Sequence, residues 1–309
     1  RTVSGGRRVW LGRSALLAAV LIWSTPPIFQ YWLSGPFEPW AQNFYRYLAG
    51  FLTMVPFLGW MAWREPLRLT RSEWFGCAVA AVPNVVHQVA QTMAVILILP
   101  GVYALLGRIS VIITAVLVVI FFADERWIAR SVKFQVGTAL ALVGVVGLIW
   151  TPGAGFGALP AKGVWLALFA ATGWAAYGVL VKKFTVRTGP TLGFGVISFF
   201  TALFLLPLML LFGDASSVMR ADAWTNFVLF GSGILSVGVG HWLYYVGIRE
   251  LGAAPAQSAL LLCPLGTMLL SSTLFGETFR FAQVGAGAIL LLGAFLALAA
   301  RPPIVEEPA

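Results

Sequence analysis

Long apolar runs alternate with short charged or Pro/Gly-rich breaks along almost the whole chain of 309 residues. Most of these runs are close to the length of about 20 residues that an α-helix needs to cross a bilayer. The pattern therefore predicts an all-α integral membrane protein with ten transmembrane helices, which we number spans 1 to 10. The predicted spans are residues 15–33, 39–62, 73–98, 102–122, 134–150, 163–184, 191–212, 223–250, 253–275 and 281–300.

The composition excludes a soluble globular protein. Hydrophobic residues make up 60% of the chain and charged residues 10%, whereas soluble domains carry about a quarter charged residues. The net charge of +9 does not indicate nucleic-acid binding, because the basic residues are scattered through loops and form no single patch. Cys77 and Cys263 lie far apart in apolar runs, so we predict neither a disulfide nor a metal site, and no cofactor.

The distribution of Lys and Arg predicts the orientation. Fifteen of them lie at the two termini and in the loops on the same side, and only Lys162, Arg220 and Arg280 lie on the other side. By the positive-inside rule both termini are expected in the cytoplasm. A basic segment precedes span 1, but nine further apolar runs follow it, so we interpret span 1 as a retained helix and not as a signal peptide.

The two halves of the chain resemble each other. Leu21-Ile-Trp-Ser24 in span 1 matches Thr172-Gly-Trp-Ala175 in span 6, and Gln135-Val-Gly137 in span 5 matches Gln283-Val-Gly285 in span 10. Because each half holds an odd number of spans, the second half must enter the membrane with the opposite polarity. The expected architecture is an inverted repeat, with a substrate site near the midplane between the halves. The two predicted units are residues 15–150 and 163–300.

Three further motifs connect the chain with a known family. Span 4 ends in Phe122-Ala-Asp-Glu125, span 9 ends in Phe275-Gly-Glu277, and span 1 contains Trp23-Ser-Thr25. With these motifs the chain resembles the EamA-type members of the drug/metabolite transporter superfamily. Ile22-Trp-Ser-Thr25 and Trp174-Ala-Ala-Tyr177 make it similar, within that superfamily, to the YddG-type aromatic amino-acid exporters of bacterial inner membranes.

This resemblance implies a multi-pass transporter of the bacterial inner membrane. Its expected substrates are aromatic amino acids and flat xenobiotics, and its other partner is the lipid bilayer. The implied cavity is walled by spans 1 to 4 and 6 to 9, with spans 5 and 10 at the periphery. The oligomeric state is left open.

Four polar residues share one face of span 3. At 100° per residue, Asn84, His87, Gln88 and Gln91 fall within an arc of about 100°. Lipid cannot form hydrogen bonds with this face, so it must contact other helices or a wet cavity. We favour a role in lining a substrate cavity, and interhelical hydrogen bonding is the alternative.

The ionisable groups inside the spans are few. All eleven acidic residues fall at span ends, in loops or in the C-terminal tail, which argues against the usual carboxylate-based coupling to protons or sodium. His87 and His241 lie near mid-span and could form a proton relay or simply be hydrogen-bonded. Arg46 and Arg108 lie roughly 10 Å from the outer ends of spans 2 and 4. They could anchor to headgroups or form an outer vestibule for a substrate carboxylate.

Two aromatic positions are candidates for substrate binding. Trp23 shares a face of span 1 with Pro26 and Pro27, which remove helical donors and predict either a hinge or a static kink. In span 6, Trp174 and Tyr177 share a face, where they could form a slot for a flat side chain or pack in the core. Tyr244 and His241 in span 8 are further cavity candidates, whereas the glycines of that span favour close helix packing.

The leading hypothesis is therefore a carrier that exports aromatic or amphipathic amino acids by alternating access. The alternatives are an exporter of drugs or other small metabolites on the same fold, and a passive channel. An intramembrane enzyme is not expected, because Ser232 and Ser236 near His241 lack a G-x-S-x-G motif or a carboxylate cluster.

Overall fold

The computed structural model describes residues 2–64, 69–150, 159–185, 188, 190–251, 256 and 259–299. Within these residues every regular element is helical. The first helices are α1 (Thr2–Trp23), α2 (Pro26–Trp32), α3 (Pro39–Arg64), α4 (Arg71–Ile98), α5 (Pro100–Leu106), α6 (Ser110–Phe121) and α7 (Val132–Trp150). They are followed by α8 (Ala161–Thr185), α9 (Pro190–Phe212), α10 (Ser217–Arg220), α11 (Ala223–Ser232), α12 (Gly240–Leu251), α13 (Cys263–Phe275) and α14 (Phe281–Leu298).

Short elements connect some of these helices. A 3₁₀ turn (Gly107–Ile109) joins α5 to α6, and a 3₁₀ segment (Ala123–Arg130) precedes α7. A π-helical segment (Gly233–Val239) joins α11 to α12. Spans 1, 4 and 8 are therefore each built from more than one helix.

The helical membrane protein that the sequence predicts is confirmed in its main feature. Among the described residues, eight helical stretches are long and apolar enough to cross a bilayer, and they correspond to spans 1, 3, 4, 5, 6, 7, 8 and 10. Span 2 corresponds to α3, whose 26 residues include buried polar side chains that lower its hydropathy. Span 9 is represented by the shorter α13, and residues 253–255, 257, 258 and 300 of the predicted spans lie outside the described residues. The number ten stays a prediction.

Proline and hydroxyl side chains set the break in span 1. Helix α1 ends at Trp23 and α2 begins at Pro26, where the prolines cannot donate to the preceding turn. The hydroxyls of Ser24 and Thr25 donate to the carbonyls of Val20 and Ile22, at 2.8 and 2.6 Å. The break predicted at Pro26 and Pro27 is thus present, and its role as a moving hinge stays a prediction.

Most helices of the first half pack against helices of the second half. Helix α4 packs on α8 and α9, α3 packs on α9 and on the π-helical segment, and α1 packs on α12. Helix α5 packs on α13, and α7 on α14. Large apolar side chains such as Trp63, Trp150 and Phe281 are exposed on the outside, where a lipid-facing surface requires them.

The α7–α14 pair depends on glycine for its close approach. A Cβ atom added at Gly144 would lie 2.5 Å from the backbone nitrogen of Leu290. We expect Gly144→Ala to lower the free energy of unfolding by about 1–3 kcal/mol, because the helices must separate to admit the methyl group. Gly285→Ala on α14, where nothing lies within 4 Å, is the matched control. Thermal unfolding of both purified variants checks this, and equal midpoints would contradict it.

Candidate substrate cavity

A cavity of about 100 Å³ opens between helices of the two halves. This is several times the space that one water molecule needs. Its walls include residues from α1, α2, α3, α4 and α5 on one side, and from α8, the π-helical segment, α12 and α13 on the other. The lining therefore combines segments that are far apart in sequence.

Aromatic rings form one wall of the cavity. The ring of Trp23 meets that of Trp174 edge to face, with 6.1 Å between centroids, and lies 4.8 Å from the ring of His241. The rings of His87 and Trp174 are 5.0 Å apart. The four rings come from α1, α4, α8 and α12, so this wall joins both halves of the chain. Such a wall suits a flat apolar group, since aromatic pairs favour offset or edge-to-face contact.

The π-helical segment supports the Trp23 ring. The indole N–H of Trp23 donates to the carbonyl of Ser236, at 3.0 Å. Gly240, which follows the segment, allows the helix to approach, since a Cβ there would lie 2.6 Å from the indole nitrogen. The Ser236 hydroxyl is buried and has no partner among the described residues, although Ser236 also lines the cavity. π-helical turns occur frequently at functional sites because they place side chains and carbonyls where an α-helix cannot.

The two histidines are held by backbone carbonyls. Nδ1 of His87 lies 2.8 Å from the carbonyl oxygen of Ala170, and Nδ1 of His241 lies 3.0 Å from that of Val237. A carbonyl oxygen only accepts, so each Nδ1 carries a hydrogen. Nε2 of His87 has no hydrogen-bond partner in the part of the chain that the structure describes, so it can meet a ligand, a water molecule or a proton. The ring of His241 also stacks on Phe194 at 4.5 Å, which fixes its plane.

The polar face of span 3 is divided between the cavity and a helix contact. His87, Gln88 and Gln91 line the cavity. The Gln91 amide donates to Gln30 at 2.8 Å and accepts from the Tyr103 hydroxyl at 3.1 Å. Asn84 instead bonds to Tyr47 and Thr201, in the contact of α4 with α3 and α9. A role of this face in binding substrate stays a prediction.

The arginines lie in this same cavity. Arg46 and Arg108 both line it, together with the tryptophans and histidines. The Nε–H of Arg46 donates to the Ser232 hydroxyl at 3.1 Å, and Nη1 of Arg108 donates to the carbonyl of Leu260 at 3.1 Å. The structure thus brings the predicted outer vestibule and the predicted aromatic site into one space.

The remaining predicted residues are close to the cavity. Pro26 and Pro27 line it at the break between α1 and α2. Tyr177 and Tyr244 are buried behind it, where the Tyr177 ring is 5.5 Å from Trp174 and the Tyr244 ring is 4.9 Å from Trp23. They support the tryptophans and are not part of the lining that the structure describes.

Sequence reasoning missed several residues of the lining. Tyr103 and Thr267 are polar lining residues that carried no motif. Tyr103 lies only a few residues into span 4, beside Pro100 and Gly101, which is a place where membrane helices commonly carry interfacial aromatics.

Fold and cavity define a helical multi-pass membrane protein. Residues 161–299 match the EamA-like transporter family, so the second half of the chain is an EamA-like transporter domain. One similar solved structure, described only as "Crystal structure of protein", covers 92% of this chain and 95% of its own length, with a TM-score of 0.61 and 18% identity. That likeness shows the fold alone. No curated protein matches the chain.

Proposed function

We propose that this protein is a bacterial inner-membrane transporter that exports aromatic or amphipathic amino acids by alternating access through the cavity. The observation that carries the proposal is the cavity wall formed by Trp23, His87, Trp174 and His241. A flat apolar side chain can pack against such rings, and their faces attract an ammonium group. The EamA-like transporter domain supports a transport function. We also propose that it shares this function with the YddG-type aromatic amino-acid exporters.

The pattern of helix packing supports an inverted repeat of units 15–150 and 163–300. In such a repeat, span 3 of the first unit is equivalent to span 8 of the second, and span 1 is equivalent to span 6. The packing of span 3 against span 6 must therefore recur as packing of span 8 against span 1. Both packing pairs are present, as α4 with α8 and α12 with α1. The pairs 2 with 7, 4 with 9 and 5 with 10 map onto themselves, and each is present as well. With ten spans both termini lie on the same side of the membrane, and the distribution of Lys and Arg favours the cytoplasm as that side.

The break beside Trp23 is the proposed hinge. Bending between α1 and α2 at Pro26 and Pro27 would move the Trp23 ring relative to its partners on α8 and α12. Such a motion would open the cavity to one side at a time.

Uptake into proteoliposomes tests the proposal. Labelled Phe, Trp and Tyr are offered to vesicles that contain only this protein, with and without an imposed pH gradient. A carrier is supported if uptake is saturable and is stimulated by unlabelled substrate inside the vesicle. Unsaturable flux would indicate a passive channel, and transport of other solutes alone would move the substrate to drugs or other metabolites.

His87→Ala tests proton coupling in the same assay. The imidazole lines the cavity and keeps Nε2 unbound by protein in the residues described. If His87 is a proton switch, we expect the variant to lose the pH dependence of transport while it keeps saturable uptake. An unchanged pH profile would exclude this role. His241→Ala, compared in parallel, shows whether the second imidazole carries the dependence.

A further inference from the structure

The charged side chains that line the cavity in the described part of the chain are all positive. Two of its lining residues are arginines, whereas none of the lining side chains within the described part of the chain is Asp or Glu. Burying a guanidinium away from a carboxylate is costly, because the protein must replace its hydration with other acceptors. The question is therefore which acceptor these arginines meet.

Arg46 is the more deeply buried of the two cations. Its side chain is only 2% exposed, and its Nε–H donates to Ser232. Its terminal nitrogens have no hydrogen-bond partner among the described residues, yet the residue lines the cavity. These nitrogens form the edge of the guanidinium that binds carboxylates through two parallel hydrogen bonds.

Arg108 lines the same cavity from the turn between α5 and α6. One terminal nitrogen donates to the Leu260 carbonyl, while its Nε is buried and has no partner in the described part of the chain. The neutral groups that surround the two arginines offer acceptors such as the Ser236 hydroxyl but no compensating negative charge.

We infer that the cavity preferentially binds flat aromatic carboxylates that carry a net negative charge, and that it binds zwitterionic amino acids less tightly. This inference rests on the proposed function, since it takes the cavity to be the transport site. The carboxylate pairs with the Arg46 guanidinium, and the ring lies against Trp23 and Trp174. An added ammonium group brings a third positive charge into a space that already holds two, and the low dielectric strengthens that repulsion. Contact with the tryptophan faces offsets only part of it.

The inference is tested with three ligands that share one apolar frame and differ in net charge. 3-Phenylpropionate, phenylalanine and phenethylamine carry net charges of −1, 0 and +1 at pH 7.5 on the same phenylethyl frame. Calorimetric titration of the purified protein in nanodiscs of uncharged lipid measures their affinities. We expect 3-phenylpropionate to bind at least about tenfold more tightly than phenylalanine, with phenethylamine weakest. Phenylalanine that binds equally or more tightly would overturn the inference.

Variants identify the group that selects charge. Arg46→Gln should weaken 3-phenylpropionate by about tenfold or more, the usual effect of losing a hydrogen bond to a charged group. It should change phenethylamine binding little or improve it. Arg13→Gln, which removes an exposed charge on α1, is the matched control and should leave the order unchanged. An Arg46→Gln protein with the same preference would overturn the assignment. If the Arg46→Gln protein does not fold, the same ligand series measured on the wild-type protein and on Arg108→Gln still tests the inference.

The same ligands separate this inference from the proposed function. Uptake of labelled 3-phenylpropionate and labelled phenylalanine is compared in proteoliposomes, with protein-free vesicles to subtract passive entry of the acid. Phenylalanine uptake without a preference for the anion overturns the inference and leaves the proposed function intact. Uptake of the anion alone supports the inference and replaces amino acids as the substrate. Uptake of neither overturns both.

Discussion

Trp174→Ala is expected to reduce aromatic transport by about tenfold or more while it leaves the folded protein nearly as stable as before. The Trp174 ring contacts the rings of Trp23 and His87, and it faces the cavity. Each aromatic contact contributes about 0.5–1.5 kcal/mol beyond the buried area. A substrate ring would lose such contacts in the variant. The side chain is half-buried, so its removal enlarges an existing cavity and leaves no new closed one.

The control for this prediction lies on the same helix. Trp165 is 70% exposed on the outer surface of α8, so Trp165→Ala removes an indole of equal size without touching the cavity. Transport of labelled Phe and the yield of monodisperse protein are measured for both variants. A Trp174→Ala protein that loses folded yield and transport in parallel would show that the indole is part of the packed core.

The membrane helices were largely predictable because their signal is the composition of about 20 consecutive residues. Interruptions within a span were harder to predict. Pro26 and Pro27 predicted the break in span 1, because proline has no backbone N–H to donate within the helix. The π-helical segment Gly233–Val239 had no comparable signal, because its extra residue per turn is accommodated by contacts with other helices. Gly50, for example, leaves room for Val237 of this segment, which a Cβ there would approach to 2.5 Å.

The candidate site was predictable as a set of faces but not as one space. Helical periodicity placed His87, Gln88 and Gln91 on one side of span 3, and they line the cavity. The same periodicity could not separate Asn84, which bonds to Tyr47 and Thr201. A single sequence does not tell which neighbour a polar face meets.

Depth along a helix was likewise insufficient to place the arginines. Counting residues put Arg46 and Arg108 near the outer ends of their spans, which suited either headgroups or a vestibule. The position of Arg46 in the aromatic cavity depends on close packing, because its backbone lies against Gly233, where a Cβ would clash with the Arg46 carbonyl oxygen. This contact between spans 2 and 8 is tertiary, so no local pattern could report it.

Glu277→Ala is expected to lower the free energy of unfolding by about 1–3 kcal/mol for each buried donor that it leaves without a partner. The Glu277 carboxylate lies in the connection between α13 and α14 and is 3% exposed. It accepts from the backbone N–H groups of Gly101 and Val102, at 2.9 and 3.1 Å, and from the Ser271 hydroxyl. It thus joins the second half of the chain to the first turn of α5. The motif comparison had marked Glu277 only as a span-end residue.

The chain beside this contact is itself strained. Leu99, which connects α4 to α5, has φ of +66° and ψ of 157°, a region that costs a residue with a Cβ about 1–3 kcal/mol. The carboxylate fixes the two residues that follow Pro100, so it helps to hold the strained corner in place. Without it, we expect the corner to relax and the start of α5 to shift.

The measurement is the denaturation midpoint of the purified protein, with two comparison variants. Burial raises the pKa of Glu277, and the hydrogen bonds from Ser271, Gly101 and Val102 offset only part of this rise. Because the site does not strongly favour the ionised form, Glu277→Gln should lose less stability than Glu277→Ala, since its amide oxygen still accepts. Glu38→Ala removes an exposed acid before α3 and should leave the midpoint unchanged. If Glu277→Ala were as stable as Glu38→Ala, the bonds to α5 would contribute nothing, and the two halves would be joined by helix packing alone.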